Sequence, residues 1–222
     1  MKISVVVTTY NYAHFLPDCL ESLLAQDFDQ HQYEIVLVDD CSSDNTQEVL
    51  RHYQSSISNP PQFRVIINAD NMGGAATANI GINAALGDCF VRVDADDYVS
   101  PTLLSELYRG LQRNPEALGC ACDYQIVDMN TGRATSKSAV SDPVACGILH
   151  RRQSFISLGG YNPNYRFMEE EEIRKRLGKR YSITHVEKVL YYYRKHGNNK
   201  TSNLSALADY QKKLDASQPL SC

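Results

Sequence analysis

The stretch "FVRVDADDYVSP", Phe90 to Pro101, ends an apolar run in three carboxylates, Asp94, Asp96 and Asp97, within four residues. Side chains two apart on an extended backbone share a face, and the chain must turn as it leaves the sheet if neighbouring aspartates are to converge. Oxygen-only ligands of this kind suit Mg²⁺ or Mn²⁺, which keep several waters and bind through one or two carboxylates plus substrate phosphates. The cluster therefore asks for a phosphorylated substrate, whose cation would relieve the repulsion among the aspartates. The plainer reading is a solvated loop in which Asp97 or Ser100 caps a helix starting at Pro101. A second acidic run, Glu169 to Glu172, fits either the solvated first turn of a helix, favoured by the macrodipole, or a working carboxylate. Near the C-terminus, "YYYRKHGNN" sets Arg194, Lys195 and His196 side by side after an aromatic run.

Four short β-branched runs must position these residues: Ile3 to Val7, Ile35 to Val38, Val65 to Ile67 and Phe90 to Val93. Segments with helical patterning separate them. Phe15, Leu16, Cys19, Leu20, Leu23 and Leu24 line the first; the second starts at a Ser43/Asp44 cap; the third, Gly74 to Leu86, is Ala-rich and stops at Gly87. Alternation on this scale predicts a doubly wound, mostly parallel sheet flanked by helices. Each strand is followed by a polar cluster: TTYN (8–11), DDCSSD (39–44), NADNMGG (68–74) and DADD (94–97). In open α/β sheets ligands bind outside the carboxyl ends of the strands, so all four clusters are expected on one rim. Further on, a helix is expected over 101–113, a strand over 119–128, a Ser/Thr-rich turn region over 129–143, a helix over 169–177, an aromatic strand over 183–193 and a short helix over 204–214.

With 222 residues, 43% of them hydrophobic, the chain can bury one core without staples. Seven cysteines with no CxxC spacing indicate neither a disulfide framework nor a zinc site. A net charge of -4 without a basic stripe argues against nucleic acid as a partner. No apolar run approaches the roughly 18 residues of a spanning helix, and the N-terminus lacks a signal-peptide pattern, so the expected location is the cytoplasm. The apolar face of the last helix is too small to bind a membrane firmly, which leaves peripheral contact open.

Taken in order and spacing, VVVTTYN, VDDCSSDNT, NMGGAATANIGINAALGD and VDADD resemble the GT-A catalytic domain of family 2 glycosyltransferases, inverting enzymes that use nucleotide-diphosphate sugars. The resemblance runs over about residues 1–200. It implies a single domain over 1–203, with a nucleotide-sugar-binding half (1–100) and an acceptor-binding half (101–203), followed by a helical tail (204–222). It assigns Thr8 and Tyr10 to the nucleobase and ribose, Asp40 to a base N–H of the uracil type, and Asp39 to support of the loop. Asp94 would contact the donor, and Asp96, Asp97 and His196 would hold Mn²⁺ or Mg²⁺ against its diphosphate. The family's usual arginine before the Asn of the third motif is Ala78 here, so another cation is needed, and Arg194 is the candidate.

The resemblance also places the catalytic base in "LGGYNPNYRFMEEEEIRKRL". Gly159, Gly160 and Tyr161 match a turn, Arg176 and Leu177 a following pair, which puts Glu170 in the base position with Glu169 as runner-up. The expected activity is metal-assisted transfer from a nucleotide-sugar, of UDP type, to a glycan, lipid-linked or other acceptor hydroxyl. Polysaccharide synthesis is among the roles that fit. The competing readings are a nucleotidyltransferase, disfavoured because TTYNYAHF has no glycine, and a non-catalytic nucleotide-sugar-binding protein of the same fold.

Overall fold

The computed structural model describes residues 1–57, 61–197, 199 and 204–217. Its first half runs β1 (Ile3–Thr9), α1 (Leu16–Leu24), β2 (Tyr33–Asp39), α2 (Thr46–Ser56), β3 (Gln62–Ile67), α3 (Gly74–Ala84) and β4 (Cys89–Asp94). The four strands lie parallel in the order β3-β2-β1-β4. β1 and β2 are buried throughout, as befits apolar runs covered on both faces. On one face Val5 and Val7 pack with Leu16, Leu20 and Leu23 of α1. On the other, Val6 packs with Ala75, Ala78 and Ile82 of α3. The small residues of α3 let it lie close: a Cβ at Gly81 would stand 2.5 Å from Val6 Cγ1.

The second half runs β5 (Tyr98–Val99), α4 (Leu103–Gln112), β6 (Gly119–Asp128), β7 (Ala134–Lys137), β8 (Ile148–Arg151), α5 (Arg152–Ser157), α6 (Glu169–Leu177), β9 (Ile183–Lys195) and α7 (Leu204–Ala216). The sheet continues from β4 through β8, β6 and β9 to β5, with β7 paired to β6. β8 is antiparallel to both β4 and β6, while β9 runs parallel to β6. The parallel strands of the first half and the mixed strands of the second thus form one sheet.

Several elements, β5, β7, β8 and α5, differ from the sequence expectation. β7 lies inside the segment read as turns, because its residues are exposed and Ser/Thr-rich and show no apolar alternation. β5 has two residues, and its pairing with Tyr191 and Tyr192 is long-range. α5, six residues long, has only Phe155 buried. The tail helix docks on α6 and on the segment before it: Lys175 Nζ donates to the Leu214 carbonyl and Tyr165 Oη to that of Lys213. Leu214 is buried but Ala208 is exposed; the Leu204 side chain and the expected boundary at residue 203 lie outside the described residues. Among the described residues no helix is long and apolar enough to cross a membrane.

One buried carboxylate joins the parallel strands β1, β2 and β3. Glu34, 0% exposed, accepts from Ser4 Oγ (2.6 Å) and Leu86 N (2.6 Å) through Oε1, and from Arg64 Nη2 (2.7 Å) through Oε2. It fastens β1, β3 and the turn after α3 to β2. Glu34→Ala strands these partners and is expected to lower stability by about 3–5 kcal/mol in urea denaturation; a loss below ~1 kcal/mol would show that solvent replaces the network.

Candidate active site

β1 has β2 on one side and β4 on the other, so the chain reverses its direction of travel across the sheet between β1 and β4. A crevice opens at such a switch point outside the carboxyl ends of the strands. Here it is a cleft of about 690 Å³. Thr8, Tyr10, Asp40 and Gly73 line one side; Arg92, Asp94, Asp96 and Asp97 lie at the end of β4; Arg166 to Glu171 form the opposite wall. All four post-strand clusters of the sequence lie at this end of the sheet and supply lining residues of the cleft, which also takes in the acidic run of α6.

The three aspartates have different partners. Asp94 sits opposite Thr8 in the β1–β4 register, and Thr8 Oγ1 donates to its Oδ1 at 2.8 Å. Arg92, two residues earlier and so on the same strand face, donates from Nε to that oxygen at 3.0 Å. Burial favours the neutral acid, but the Arg92 charge and the bonds from Thr8 and Arg92 outweigh it and hold Asp94 below the ordinary carboxylate range. Arg92, 4% exposed, also reaches Glu169 Oε1 with Nη1 at 2.8 Å. One buried guanidinium thereby ties the end of β4 to the start of α6.

Asp97 is committed to β9. Its Oδ2 accepts from Tyr191 Oη at 2.6 Å and its Oδ1 from the Arg194 backbone N–H at 2.8 Å. Burial, then the charges of Asp96 and Asp94, push its carboxyl well above the usual value. Asp97, expected as a metal ligand, thus has both carboxylate oxygens engaged by β9. Asp96 Oδ2 lies 3.1 Å from His196 Nε2 and accepts from Asn199 Nδ2 at 3.2 Å. Burial and the Asp94 charge push Asp96 up, against the His196 bond. His196, packed at a tilt against the Phe15 ring with centroids 4.4 Å apart, thus backs Asp96 from behind the cleft wall.

Arg194 requires a correction. Its guanidinium is 3% exposed, donates to the carbonyls of Phe15 and Asp96 and to Asp18 Oδ2, and lies over the Phe15 ring. It fastens β9 to the start of α1 and does not line the cleft. At the β1–β2 end of the cleft Tyr10 is exposed on the rim, while the Asp40 carboxylate accepts from the N–H groups of Met72 and Gly73, each at 2.8 Å, and from Asn68 Nδ2. Asp40 therefore shapes the loop before α3. Asp39, wholly buried, accepts from Ser42 N and supports the loop after β2.

No three His, Cys, Asp or Glu side chains among the described residues are arranged to hold a metal ion by themselves. The donor chemistry nevertheless fits a hard cation completed by substrate. Asp94 and Asp96 are neighbouring carboxylates, and among the described residues no lysine or arginine pairs with Asp96.

On the opposite wall Met168 adopts a left-handed conformation (φ 60°) just before α6. The other non-glycine residues with positive φ, Asn11 and Cys41, follow β1 and β2, so the strained positions gather near the cleft. Glu170, 2% exposed, has Oε1 2.8 Å from Arg174 Nε and Oε2 accepting from Tyr181 Oη at 3.2 Å. Burial raises its carboxyl to about 7, against the pull of Arg174 and Tyr181. Behind it, buried His150 meets Tyr181 Oη at 2.7 Å and is pushed down to about 3, mainly by burial. Arg92 and Arg166 line the cleft without having been singled out in the sequence. Arg92 had a signal, its same-face spacing from Asp94; Arg166 had none.

Residues 4–176 match the model of glycosyl transferase family 2. A glycosyltransferase of Nostoc sp. is 30% identical over 240 residues, covering 97% of this chain and 72% of that protein. The poly(ribitol-phosphate) beta-N-acetylglucosaminyltransferase TarS of Staphylococcus aureus is 35% identical over 107 residues, 48% of this chain and only 18% of TarS. The crystal structure of TarS 1–349 with UDP-GlcNAc superposes with a TM-score of 0.77 at 23% identity, covering 91% of this chain and 61% of that one. A mannosyltransferase of Pyrobaculum calidifontis in complex with GDP-Man and Mn²⁺ gives 0.73 at 16% identity, covering 98% and 65%. These likenesses establish the GT-A fold.

Arg92→Leu leaves Asp94 and Glu169 buried without their counter-charge, and the expected loss is about 3–5 kcal/mol at neutral pH. Because Arg92 holds Asp94 down, its contribution is present above the unfolded carboxyl value of about 4 and fades as pH falls further. Denaturation of both proteins from pH 7 to pH 3 should show the gap closing in acid; a pH-independent gap would contradict this account.

Proposed function

The chain belongs to glycosyl transferase family 2, and from that premise we propose that it transfers a sugar from a UDP-type donor to an acceptor hydroxyl, with inversion at the anomeric carbon. The observation that carries this reading is the cleft itself, in which Thr8 and Asp94 meet across the β1–β4 switch point and Glu170 stands on the opposite wall. Thr8, Tyr10 and the loop shaped by Asp40 would surround the nucleoside. Asp94 and Asp96 would face the diphosphate, and Mg²⁺ or Mn²⁺ held there with donor oxygens would supply charge stabilisation for the leaving group. The choice of UDP follows the TarS complexes, which hold UDP and UDP-GlcNAc.

Glu170 is the better base of the two candidates. Glu169 has Oε1 engaged by the Arg92 guanidinium, whereas burial places Glu170 near neutrality, where a general base exchanges protons most effectively. In the proposed step the acceptor hydroxyl gives its proton to Glu170 as its oxygen attacks the anomeric carbon from the face opposite the diphosphate. The carbon–oxygen bond to the diphosphate breaks, and the electron pair leaves with the nucleotide. The acceptor would enter past Tyr124, Val144, Phe167, Tyr193 and Leu207, an apolar and aromatic wall that suits the carbon faces of a glycan ring, free or lipid-linked.

Calorimetric titration of UDP, GDP and CDP, with and without Mn²⁺, should show metal-dependent binding of UDP that Asp96→Ala weakens by about tenfold or more. Absence of binding by every nucleotide with metal present would remove the donor-site assignment.

Glu170→Gln should lower kcat by about 10²–10⁴-fold while leaving UDP affinity in place. In the wild type kcat/KM should rise with pH through an apparent value near 7, as the carboxyl loses its proton. Full activity of the Gln variant would transfer the role to another group. UDP binding by the wild type with no transfer to any glycan acceptor would favour a sugar-nucleotide-binding protein.

A further inference from the structure

The charge balance of the cleft is lopsided: seven carboxylates but only two arginines, Arg92 and Arg166, are among its described lining residues, with no lysine or histidine. A site of that composition repels a nucleoside diphosphate unless some positive charge is free to meet it. Arg92 is not free, since it is buried and paired with both Asp94 and Glu169. Arg166 is exposed, and its guanidinium donates only to Asn71, at 3.2 Å to the carbonyl and 3.4 Å to Oδ1. Both acceptors are neutral and the bonds are long, so its full charge remains available.

We propose that Arg166 is the cation that receives the donor's diphosphate, an inference that rests on the reading of the cleft as a nucleotide-sugar site. Its placement supports this. The Arg166 stem lies on Gly73, where a Cβ would stand 3.1 Å from its Cγ. The guanidinium therefore reaches from the acceptor-side wall across to the loop that Asp40 shapes, on the donor side. Gly73 also has φ +85°, so two independent features require glycine beneath this arginine. The forked guanidinium can bind two phosphate oxygens at once, which a single ammonium cannot. Arg166 is also three residues ahead of Glu169, so a diphosphate bound by it would draw the start of α6 toward the donor. The first turn of that helix, with Glu170, would then be seated by the donor it is to act on.

The test compares UDP with uridine, or GDP with guanosine if the wild type binds GDP instead, on wild type, Arg166→Met and Arg166→Lys in Mn²⁺. Calorimetry measures the diphosphate, and ligand-observed NMR, which reaches millimolar binding, measures the nucleoside. Arg166→Met keeps the stem on Gly73 and is expected to weaken UDP binding by about tenfold or more, with Arg166→Lys in between and uridine binding unchanged. Unchanged UDP affinity in Arg166→Met overturns the proposal, and so does an equal loss for UDP and uridine, which would make Arg166 a prop for the loop. If the wild type binds no nucleoside diphosphate, the reading of the cleft fails and this inference with it. If the wild type binds and Arg166→Met binds equally well, only the inference fails.

Discussion

Asp94, Asp96 and Asp97 leave the sheet together at the end of β4, each at least mostly removed from water. Carboxylates so close cannot all be ionised in a low-dielectric site without specific partners. The molecule supplies these one by one, and from distant parts of the chain. Asp94 receives a full charge from its strand neighbour Arg92. Asp97 receives two hydrogen bonds from β9, which is about 95 residues later and is brought alongside only because it pairs with β6 and β5. Asp96 is backed by His196 and Asn199 and bonded by Tyr12. The parallel strands place the aspartates, but the returning strand β9 makes them tolerable.

The same constraint links the two halves of the molecule. Arg92 serves Asp94 and Glu169 at once, so the position of α6 depends on the charge state of the strand end. Arg194 performs a similar service on the other flank, where its guanidinium gathers the Phe15 and Asp96 carbonyls. Each arginine is close to fully buried and would be costly alone; each is kept by several acceptors. Arg166 differs in being exposed with neutral acceptors, and that contrast separates a charge available to a ligand from charges that hold the fold together.

Much of this architecture is legible in the sequence. The four apolar runs and their polar followers predict the parallel half, because strands covered on both faces carry continuous β-branched residues. Glu169–Leu177 is also read directly, from acids in the first turn and basic residues in the last. What escapes is whatever depends on distant pairing. β5 is two residues held by β9, and β7 is an exposed hairpin arm without alternation. The arginines escape for the same reason. Arg194, beside His196, reads as a cleft residue until the fold turns its guanidinium toward Phe15 and Asp18. Arg92, inside a buried strand, and Arg166, inside a loop, gain their meaning only from the carboxylates or carbonyls beside which they come to lie.

Glu170 shows how site and stability pull against each other. Its value near 7 lies above the ordinary carboxyl value of about 4.3, so between those limits the folded chain holds a proton that the unfolded chain has released. Stability from this group is therefore greatest at and below the ordinary value, falls as pH rises through the window, and is least above about 7. The ionised form, which a base requires, is the form that burial disfavours. Arg174 only partly offsets this, since its Nε stands 2.8 Å from Glu170 Oε1 without the alignment of a hydrogen bond. Met168, left-handed at the entrance to the same helix, adds backbone strain at the same place. The remainder of α6, pinned by Arg92 through Glu169 and by Arg176 through the Leu158 and Gly160 carbonyls, keeps this unfavourable turn folded beside the cleft.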